Sequence, residues 1–380
     1  MLLRGSLAAL AILSGVLTLW QWLAAFGFPL HRRAAGRSFF PSITLLKPLK
    51  GRDAHTAKCL ASWMNQNYPG PMQILFGVAS TDDPVCSVVK ELILAHPKLD
   101  AHLVICPEPL GANPKISTLA QIESNARHEV IVLSDADVFV EPGFLVELVR
   151  PMQKTEVGLV NCFYELRGAD NLAMRWEAFA VNADFWSQVL QARTLKPLDF
   201  ALGAVMAVPR NVWQNIGGAK ALLDYLADDY ELGQRIARSG KEIVLSPIRV
   251  ACLLSPMSWR EVWAHQSRWA RTIRFCQPTA YFFSVLSNAT FWPLLWFICE
   301  STAPTAIAVC SLLLFRMVSG AYCEHKLTGK WQLSSLVIAP IKDLLQMAIW
   351  AGAFLGNKVV WRGSRFRVLR GGKLVNMNQG

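Results

Sequence analysis

Long apolar stretches near both ends of the chain constrain its fold more than any other feature. Residues 7–28 hold no charged side chain, and a helix of about 20 apolar residues crosses the core of a bilayer. Residues 279–356 hold only seven charged residues. The chain has 17% charged residues, against roughly 25% in an average soluble domain. The sequence therefore predicts an integral membrane protein and excludes disordered and disulfide-scaffold proteins.

The basic residues lie mainly in two clusters, and each cluster follows an apolar stretch. The chain has a net charge of +11, and residues 31–58 and 358–380 each carry a net +6. Lys and Arg mark the cytoplasmic side of a membrane span, and the three Arg residues at positions 32–37 outweigh Arg4. We therefore expect an uncleaved anchor over residues 1–30, followed by a cytoplasmic domain. Basic residues beside spans favour a membrane surface over nucleic acid as the partner.

The C-terminal membrane region, residues 279–356, predicts two spans and one ambiguous segment. The two predicted spans cover residues 282–299 and 302–322. Residues 333–355 contain the pair Lys342 and Asp343, and a charge at mid-bilayer is expensive. Residues 333–355 can be interpreted in two ways: as a full span, or as a segment that is re-entrant or interfacial. The second is favoured because it keeps the basic tail, residues 357–380, in the cytoplasm.

Between the apolar regions, residues 40–278 predict one cytoplasmic α/β domain. Apolar strands alternate with helices, which is typical of a mostly parallel sheet covered on both faces. We expect strands at 42–46, 74–78, 102–106 and 130–133, and helices between them at 54–65, 84–95 and 114–125. Ligands of such sheets bind at the carboxyl ends of the strands. The chain contains neither G-x-G-x-x-G nor G-x-x-x-x-G-K-[ST], so dinucleotide binding and P-loop hydrolysis lose their main support.

A pair of acidic residues follows the fourth predicted strand. Asp135 and Asp137 are spaced i, i+2, so both carboxylates point the same way in an extended segment. Such a pair suits Mg²⁺ or Mn²⁺ together with substrate phosphates, and the cation neutralises a diphosphate leaving group. The same motif occurs in solvated loops, but its place at the end of a parallel strand favours a functional site.

Two further candidate residues lie where helices are expected to begin. Asp53 follows the first predicted strand, where it either belongs to the site or caps the next helix. Lys115 stands at the start of a helix, where the helix dipole disfavours a cation. A phosphate bound at that helix start would explain the lysine.

Two later segments allow a structural as well as a functional interpretation. Asp228 and Asp229 open a helix, where acidic residues also serve as caps and dipole partners. A basic and aromatic segment near residues 258–276 predicts an amphipathic helix at the membrane interface. Its candidate site residues are His265, Arg268 and Trp269.

Taken in order, these residues form the pattern D, D-x-D, D, (Q/R)-x-x-R-W. The residues that carry it are Asp53, Asp135-Ala136-Asp137, Asp229 and Arg268-Trp269. The pattern resembles that of membrane-bound family 2-type inverting glycosyltransferases with a GT-A fold, and more closely that of the ceramide glucosyltransferases of family 21. Bacterial hopanoid-associated glycosyltransferases are similar too. His265 stands where the pattern has Gln or Arg, and this departure favours the hopanoid-associated branch.

The resemblance implies a role for each candidate residue. Asp229 is the expected general base. The donor is expected to contact Asp53 at its uridine, Lys115 beside the nucleotide, and Asp135 and Asp137 at its diphosphate. Of the two D-x-D carboxylates, Asp137 is the main expected metal ligand. The acceptor and diphosphate end of the site is expected to contain Asp228, His265, Arg268 and Trp269.

The expected reaction is the inverting transfer of a hexose from a UDP-sugar to a hydroxyl of a membrane lipid, as in ceramide glucosyltransferases. A divalent metal, Mg²⁺ or Mn²⁺, is the expected cofactor. The expected partners are the UDP-sugar, a lipid acceptor such as ceramide or a hopanoid, and the membrane, with no nucleic acid. We expect the protein in the bacterial inner (cytoplasmic) membrane, with its catalytic domain facing the cytoplasm.

Three alternatives to this function stay open. The first is a hopanoid-polyol N-acetylglucosaminyltransferase of the same fold. The second is a processive polysaccharide synthase, for which the predicted spans are few. The third is a non-enzymatic membrane scaffold, against which the complete acidic set argues.

Overall fold

The computed structural model describes residues 2–32, 39–361 and 364–377, and it divides into two compact units. The sheet unit comprises Pro29–Gly168, Pro197–Ser255 and Gly372–Gly380. The helical unit comprises Met1–Phe28, Ala169–Lys196 and Pro256–Gly371. Three of the basic residues behind the predicted topology lie outside the described residues, namely Arg33, Arg37 and Arg362. The predicted domain boundaries and membrane orientation stay predictions.

The sheet unit is built on a mixed sheet of eight strands. In chain order they are β1 (Ile43–Leu49), β2 (Met72–Val78), β3 (Asp100–Ile105), β4 (Val130–Ser134), β5 (Val138–Phe139), β6 (Val157–Arg167), β7 (Val205–Pro209) and β8 (Glu242–Leu253). Their order across the sheet is β3-β2-β1-β4-β7-β6-β8-β5. Strands β3, β2, β1 and β4 are parallel, which confirms the predicted α/β class, whereas β7 runs antiparallel to both β4 and β6.

Helices alternate with the first strands as the sequence predicts. In chain order the α-helices are α1 (Leu2–Gly27), α2 (Thr56–Met64), α3 (Val85–Ala95), α4 (Pro114–Ile122), α5 (Phe144–Val149), α6 (Leu172–Phe179), α7 (Trp186–Leu195), α8 (Arg210–Asn215), α9 (Asp228–Arg238), α10 (Trp259–Cys276), α11 (Pro278–Phe283), α12 (Phe291–Cys299), α13 (Ala303–Thr328) and α14 (Ser334–Ala353). A π-helix, Ala180–Phe185, joins α6 to α7. Three short strands follow: β9 (Lys358–Trp361), β10 (Ser364–Val368) and β11 (Leu374–Asn376).

Strands β1 and β4 lie side by side in the sheet, and all of their residues are buried. In register, Ile43 of β1 is opposite Val130 of β4 and Leu46 is opposite Leu133. Their mainly apolar and fully buried residues fit a sheet that is covered on both faces. Because the two strands are parallel, the loops that leave them emerge at the same edge of the sheet, where the candidate residues of both loops follow.

The helical unit contains three helices that are long and apolar enough to cross a membrane, α1, α13 and α14, among the residues described. Helix α1 covers the predicted anchor. The span predicted over residues 282–299 corresponds to two helical segments, Pro278–Ser287 and Phe291–Cys299, which are bent by 54° at the break between them. Asn288 lies at the break, where its side-chain oxygen accepts the backbone N–H groups of Thr290 and Phe291. These bonds replace helical ones and thereby turn the chain.

Buried charges in the helical unit are paired with one another. Arg316 of α13 lies 2.8 Å from both Asp184 and Asp343, and Lys342 lies 2.7 Å from Asp184. In the sequence, the pair Lys342 and Asp343 argued against a span because single charges are costly in a bilayer. Pairing inside the protein offsets that cost, so the charges no longer argue against a span over α14.

Candidate active site

The D-x-D motif lies at the carboxyl end of β4, as the sequence predicts. Asp135 and Asp137 follow this strand directly, and both side chains are partly exposed. Partial burial, followed by the negative charge of Asp135, raises the pKa of Asp137 to about 6. Mutual repulsion of two carboxylates favours the binding of a cation between them.

Lys115 connects the D-x-D motif to the second acidic motif. Its Nζ lies 2.8 Å from Asp135 Oδ1 and 3.1 Å from Asp228 Oδ2. Burial lowers the pKa of this ammonium. The two carboxylates raise that pKa by more than burial lowers it, so the net shift is upward. From the sequence, we expected a bound phosphate to explain why a lysine stands at the start of this helix. The two carboxylates already account for its charge in the structure.

The start of α4 is fixed independently of that lysine side chain. Asn113 is the N-cap, and its side-chain oxygen accepts the backbone N–H groups of Lys115 and Ile116. Pro114 occupies the first turn, where its missing N–H costs nothing. The Asn113 side chain also donates to the Tyr225 carbonyl at 2.8 Å. This contact ties the loop before α4 to the loop before α9.

Asp229 is held in a confined position at the start of α9. Its Oδ1 accepts the backbone N–H of Tyr230 at 2.8 Å. A Cβ atom added to Gly203 would lie only 2.9 Å from Asp229 Oδ2, so a glycine is needed there for close approach. Burial, followed by the charge of Asp228, raises the pKa of Asp229 to about 7. A carboxylate with that pKa is suited to accept a proton near neutral pH.

Asp53 lies in the loop between β1 and α2. Its Oδ1 accepts from the Thr56 hydroxyl at 2.8 Å and from the His55 backbone N–H at 2.9 Å. The helix begins at Thr56, and its N-cap residue is His55, which makes no side-chain capping bond. Burial raises the pKa of Asp53, but these hydrogen bonds lower it more. Asp53 therefore orders the turn before α2 and is not the N-cap residue of that helix.

Lys47 is a residue of the site region to which the sequence assigned no role. It lies inside β1 and is 0% exposed. Its Nζ donates to the Asp135 carbonyl at 2.7 Å and to the Ser134 hydroxyl at 3.2 Å, and it lies 4.8 Å from the centre of the Trp63 ring. Burial lowers the pKa of Lys47 to about 8. The signal in the sequence was a lysine within an otherwise apolar strand.

The remaining candidate residues lie in the helical unit, on α10. A capping box begins this helix, in which Ser258 and Glu261 each bond to the backbone N–H of the other. His265 Nδ1 lies 2.6 Å from Glu177 Oε1, and its ring centre lies 4.7 Å from that of Trp269. Arg268 lies on the same helix, one turn after His265. Glu177 had no role in the sequence reasoning.

The structure brings some of the predicted site residues into direct contact within the sheet unit. Lys115, Asp135 and Asp228 form one ion cluster, and Asp229 follows Asp228. Among the residues described, no three His, Cys, Asp or Glu side chains are arranged to hold a metal by themselves. Mg²⁺ commonly binds through one or two carboxylates plus substrate phosphates, and the oxygens of Asp135 and Asp137 fit that donor set.

Comparison with models of known protein families shows to which family the chain belongs. The family model described as glycosyl transferase family 21 matches residues 4–374, which is nearly the whole chain. The chain belongs to glycosyl transferase family 21. This result confirms the resemblance inferred from the D, D-x-D, D, (Q/R)-x-x-R-W pattern, and it identifies the protein as a glycosyltransferase.

Individual relatives of this family 21 protein agree with that assignment. Ceramide glucosyltransferase 3 of Caenorhabditis elegans is 21% identical over 359 residues, covering 92% of this chain and 77% of the relative. Ceramide glucosyltransferase of Komagataella phaffii is 32% identical over 117 residues, covering 30% of this chain and 23% of the relative.

A solved structure supports the GT-A fold. The mannosyltransferase PcManGT of Pyrobaculum calidifontis, in complex with GDP-Man and Mn²⁺, is similar with a TM-score of 0.55 and 19% identity. The similarity covers 90% of this chain and 98% of PcManGT. The family 21 chain therefore has an α/β GT-A fold together with candidate membrane-spanning helices.

Proposed function

We propose that this family 21 protein transfers a hexose from a UDP-sugar to a hydroxyl of a membrane lipid, with inversion at the anomeric carbon. The contact that carries the proposal is the Lys115 ammonium between Asp135 and Asp228, at 2.8 and 3.1 Å. Asp135 belongs to the proposed diphosphate end of the site, and Asp228 is adjacent to the proposed base, Asp229. One cation thus links the proposed diphosphate end of the site to the start of α9, where the proposed base lies next to Asp228.

Donor binding is assigned to the loops after β1 and β4. Asp135 and Asp137 would hold Mg²⁺ or Mn²⁺ with the diphosphate, and Asp53 would contact the uridine. When bound, the metal supplies positive charge that stabilises the departing diphosphate. PcManGT, which shares the fold, was solved with a sugar nucleotide and Mn²⁺, and this supports a metal-assisted donor site.

Asp229 is the proposed general base. The acceptor oxygen forms a bond to the anomeric carbon while the bond from that carbon to the diphosphate oxygen breaks, and the hydroxyl proton passes to Asp229. A pKa of about 7 leaves this carboxylate ionised at slightly alkaline pH and still basic enough to accept the proton. Gly203 leaves the space in which its Oδ2 lies.

The acceptor is proposed to be a lipid because helix α10 of the helical unit carries side chains that are typical of a membrane interface. Helix α10 exposes Trp259, Trp263 and Ile273, and it also carries several arginines. Aromatic and basic residues together on one helix are typical of a membrane interface. We place the protein in the bacterial cytoplasmic membrane, with the sheet unit facing the cytoplasm, in keeping with exposed Arg32 after α1.

Ceramide is the first proposed acceptor, because the relatives are named as ceramide glucosyltransferases. A hopanoid polyol is the second, because His265 replaces the Gln or Arg of the ceramide-type pattern. For the hopanoid acceptor the proposed donor is UDP-N-acetylglucosamine. In both cases Arg268 and Trp269 are proposed to contact the acceptor and the diphosphate.

The experiment is a donor-by-acceptor matrix with the full chain in lipid nanodiscs. UDP-glucose, UDP-galactose and UDP-N-acetylglucosamine are each combined with ceramide, a hopanoid polyol or diacylglycerol, and lipid products are measured by mass spectrometry. We expect one dominant glycolipid, which is lost in Asp229→Asn while UDP binding is kept. Absence of any glycolipid from folded protein, or a long sugar polymer as the product, would contradict the proposal.

A further inference from the structure

Helix α6 carries a buried carboxylate that faces helix α10. Glu177 is 0% exposed, and its Oε1 accepts from His265 Nδ1 at 2.6 Å and from Gln266 Nε2 at 2.9 Å. Its other oxygen, Oε2, is also buried and has no hydrogen-bond partner among the described residues. Burial of an acidic side chain is costly unless its partners compensate, so the partners of Glu177 indicate its purpose.

The neighbouring buried charges are already paired elsewhere. Arg175, two residues before Glu177, donates to both carboxylate oxygens of Glu324 at 2.5 and 2.7 Å. Asp184, at the end of the following π-helix, pairs with Arg316. These two ion pairs hold the segment from α6 to α7 against α13. The contacts of Glu177, in contrast, go to α10.

The contact with Glu177 determines how the His265 ring is presented. An ionised carboxylate only accepts hydrogen bonds, so the proton of the neutral ring lies on Nδ1. Nε2 is then the nitrogen with a free lone pair. The Trp269 ring, 4.7 Å away and tilted by 58°, limits rotation of the imidazole. The His265 side chain is 29% exposed, so part of the ring remains accessible.

We propose that Glu177 is a positioning residue of the transfer site, which acts by fixing the orientation and tautomer of His265. This inference rests on the proposed function, in which His265 belongs to the acceptor and diphosphate end. It accounts for the departure at position 265. A histidine held by a buried carboxylate presents a defined ring nitrogen at the helix position where the pattern has Gln or Arg.

The first part of the test reads the His265 tautomer and does not need turnover. The full chain is labelled with ¹⁵N-histidine in nanodiscs, and His265 is identified among the seven histidines by its loss in His265→Ala. We expect the Nδ1–H tautomer in the wild type and in the matched control Glu324→Gln, which alters a different buried glutamate in contact with α6. Glu177→Leu should lose the preference. An Nε2–H tautomer in the wild type would overturn the proposal.

The second part is a double-mutant cycle on lipid glycosylation. Glu177→Leu is expected to lower kcat/KM by about tenfold, which lies within the range for contacting residues, while Glu177→Gln, which still accepts from Nδ1, should keep most of the activity. In a His265→Ala background, Glu177→Leu should have no further effect. An equal loss in both backgrounds would mean that Glu177 does not act through His265 and would overturn the inference.

The two parts separate the inference from the function on which it rests. A wild type that shows the Nδ1–H tautomer but transfers no sugar to any lipid refutes the proposed function and supports the contact between Glu177 and His265. A wild type that transfers sugar normally, with Glu177→Leu equally active and the tautomer unchanged, refutes the inference alone.

Discussion

The ammonium of Lys115 lies 3.1 Å from the carboxylate of Asp228, although 113 residues separate them in the sequence. The same ammonium lies 2.8 Å from Asp135. The D-x-D motif and the acidic motif of α9 are therefore parts of one charged cluster in the sheet unit. Changes to Lys115 should affect both the proposed donor end and the proposed base.

Replacing Lys115 by Gln should shift the pH dependence of transfer. Burial and the charge of Asp228 raise the pKa of Asp229, whereas the positive charge of Lys115 lowers it. Without it, the pKa of Asp229 rises, and the acidic limb of the kcat/KM profile moves to higher pH. Lys115→Arg should keep the wild-type limb because it keeps the charge. Lys98→Met, which changes an exposed lysine of the sheet unit, serves as the control. If the acidic limb does not shift in Lys115→Gln, the charge of Lys115 does not act on Asp229 as proposed.

The wild-type pH profile follows from the same carboxylate. Because burial raises the pKa of Asp229 to about 7, the base is protonated and inactive at lower pH. We expect kcat/KM for the lipid to rise about tenfold per pH unit below that pKa and to level off above it. Asp229→Asn should remove the limb along with most of the activity. A wild-type profile that is flat from pH 5 to about pH 8 would count against Asp229 as the base.

Gly203→Ala tests the space around Asp229. The added methyl group would lie 2.9 Å from Asp229 Oδ2, so the carboxylate must move. A displacement of this kind is expected to lower kcat by about 10- to 100-fold, while the midpoint of thermal unfolding changes little. Gly352→Ala is the matched control, since its methyl group meets no atom within 4 Å. Equal kcat values for the two variants would show that the position of Asp229 is not limiting.

Lys47 is expected to support the turn that carries the D-x-D motif. Lys47→Met removes the donor to the Asp135 carbonyl and should weaken UDP binding in the presence of Mn²⁺ by about tenfold, in line with the loss of a charged hydrogen bond. Isothermal titration with UDP measures the effect. The exposed Lys50, just after β1, provides a control in Lys50→Met. Unchanged UDP affinity in Lys47→Met would exclude this supporting role.

The C-terminal segment that begins at Gly372 belongs to the sheet unit, although it was first considered only as part of the basic tail. Leu226 donates to the Gly372 carbonyl at 3.0 Å, and Leu374 donates to the Asp224 carbonyl at 2.7 Å. These bonds hold the loop directly before Asp228. A chain ending at Gly371 should therefore lose transfer activity severalfold, whereas a chain ending at Met377 should not. Full activity in the shorter chain would show that the loop holds its position without the segment.

The sequence predicted the parts of the fold that depend on local pattern. The alternation of apolar strands and helices placed β1 to β4 within a few residues, and Asp135 and Asp137 emerged at the end of β4 as expected. Antiparallel β7 was not predicted, because strand direction depends on partners distant in the chain. The bend between α11 and α12 was also missed, since its signal is the single polar residue Asn288 in an apolar run.

The candidate site shows the same division between local and distant contacts. Motif order proposed Asp229 and the D-x-D pair as site residues, but it could not show that Lys115 pairs with Asp228. No role could be assigned to Lys47 or Glu177 from the sequence, because burial and contact between separated elements decide what each of them does. Glu177 in particular lies in a helix whose polar partners are on α10, α13 and α14, all of them distant from it in the sequence.

The stereochemistry of the glycolipid product shows whether the transfer inverts the anomeric carbon. Full-length protein in nanodiscs is supplied with an α-linked UDP-hexose, Mn²⁺ and the lipid acceptor, and the anomeric configuration of the product is determined by NMR. We expect a β-linked monoglycosylated lipid from the wild type and none from Asp229→Asn. An α-linked product, or undiminished formation of the β-linked lipid by Asp229→Asn, would contradict an inverting lipid glycosyltransferase with Asp229 as its base.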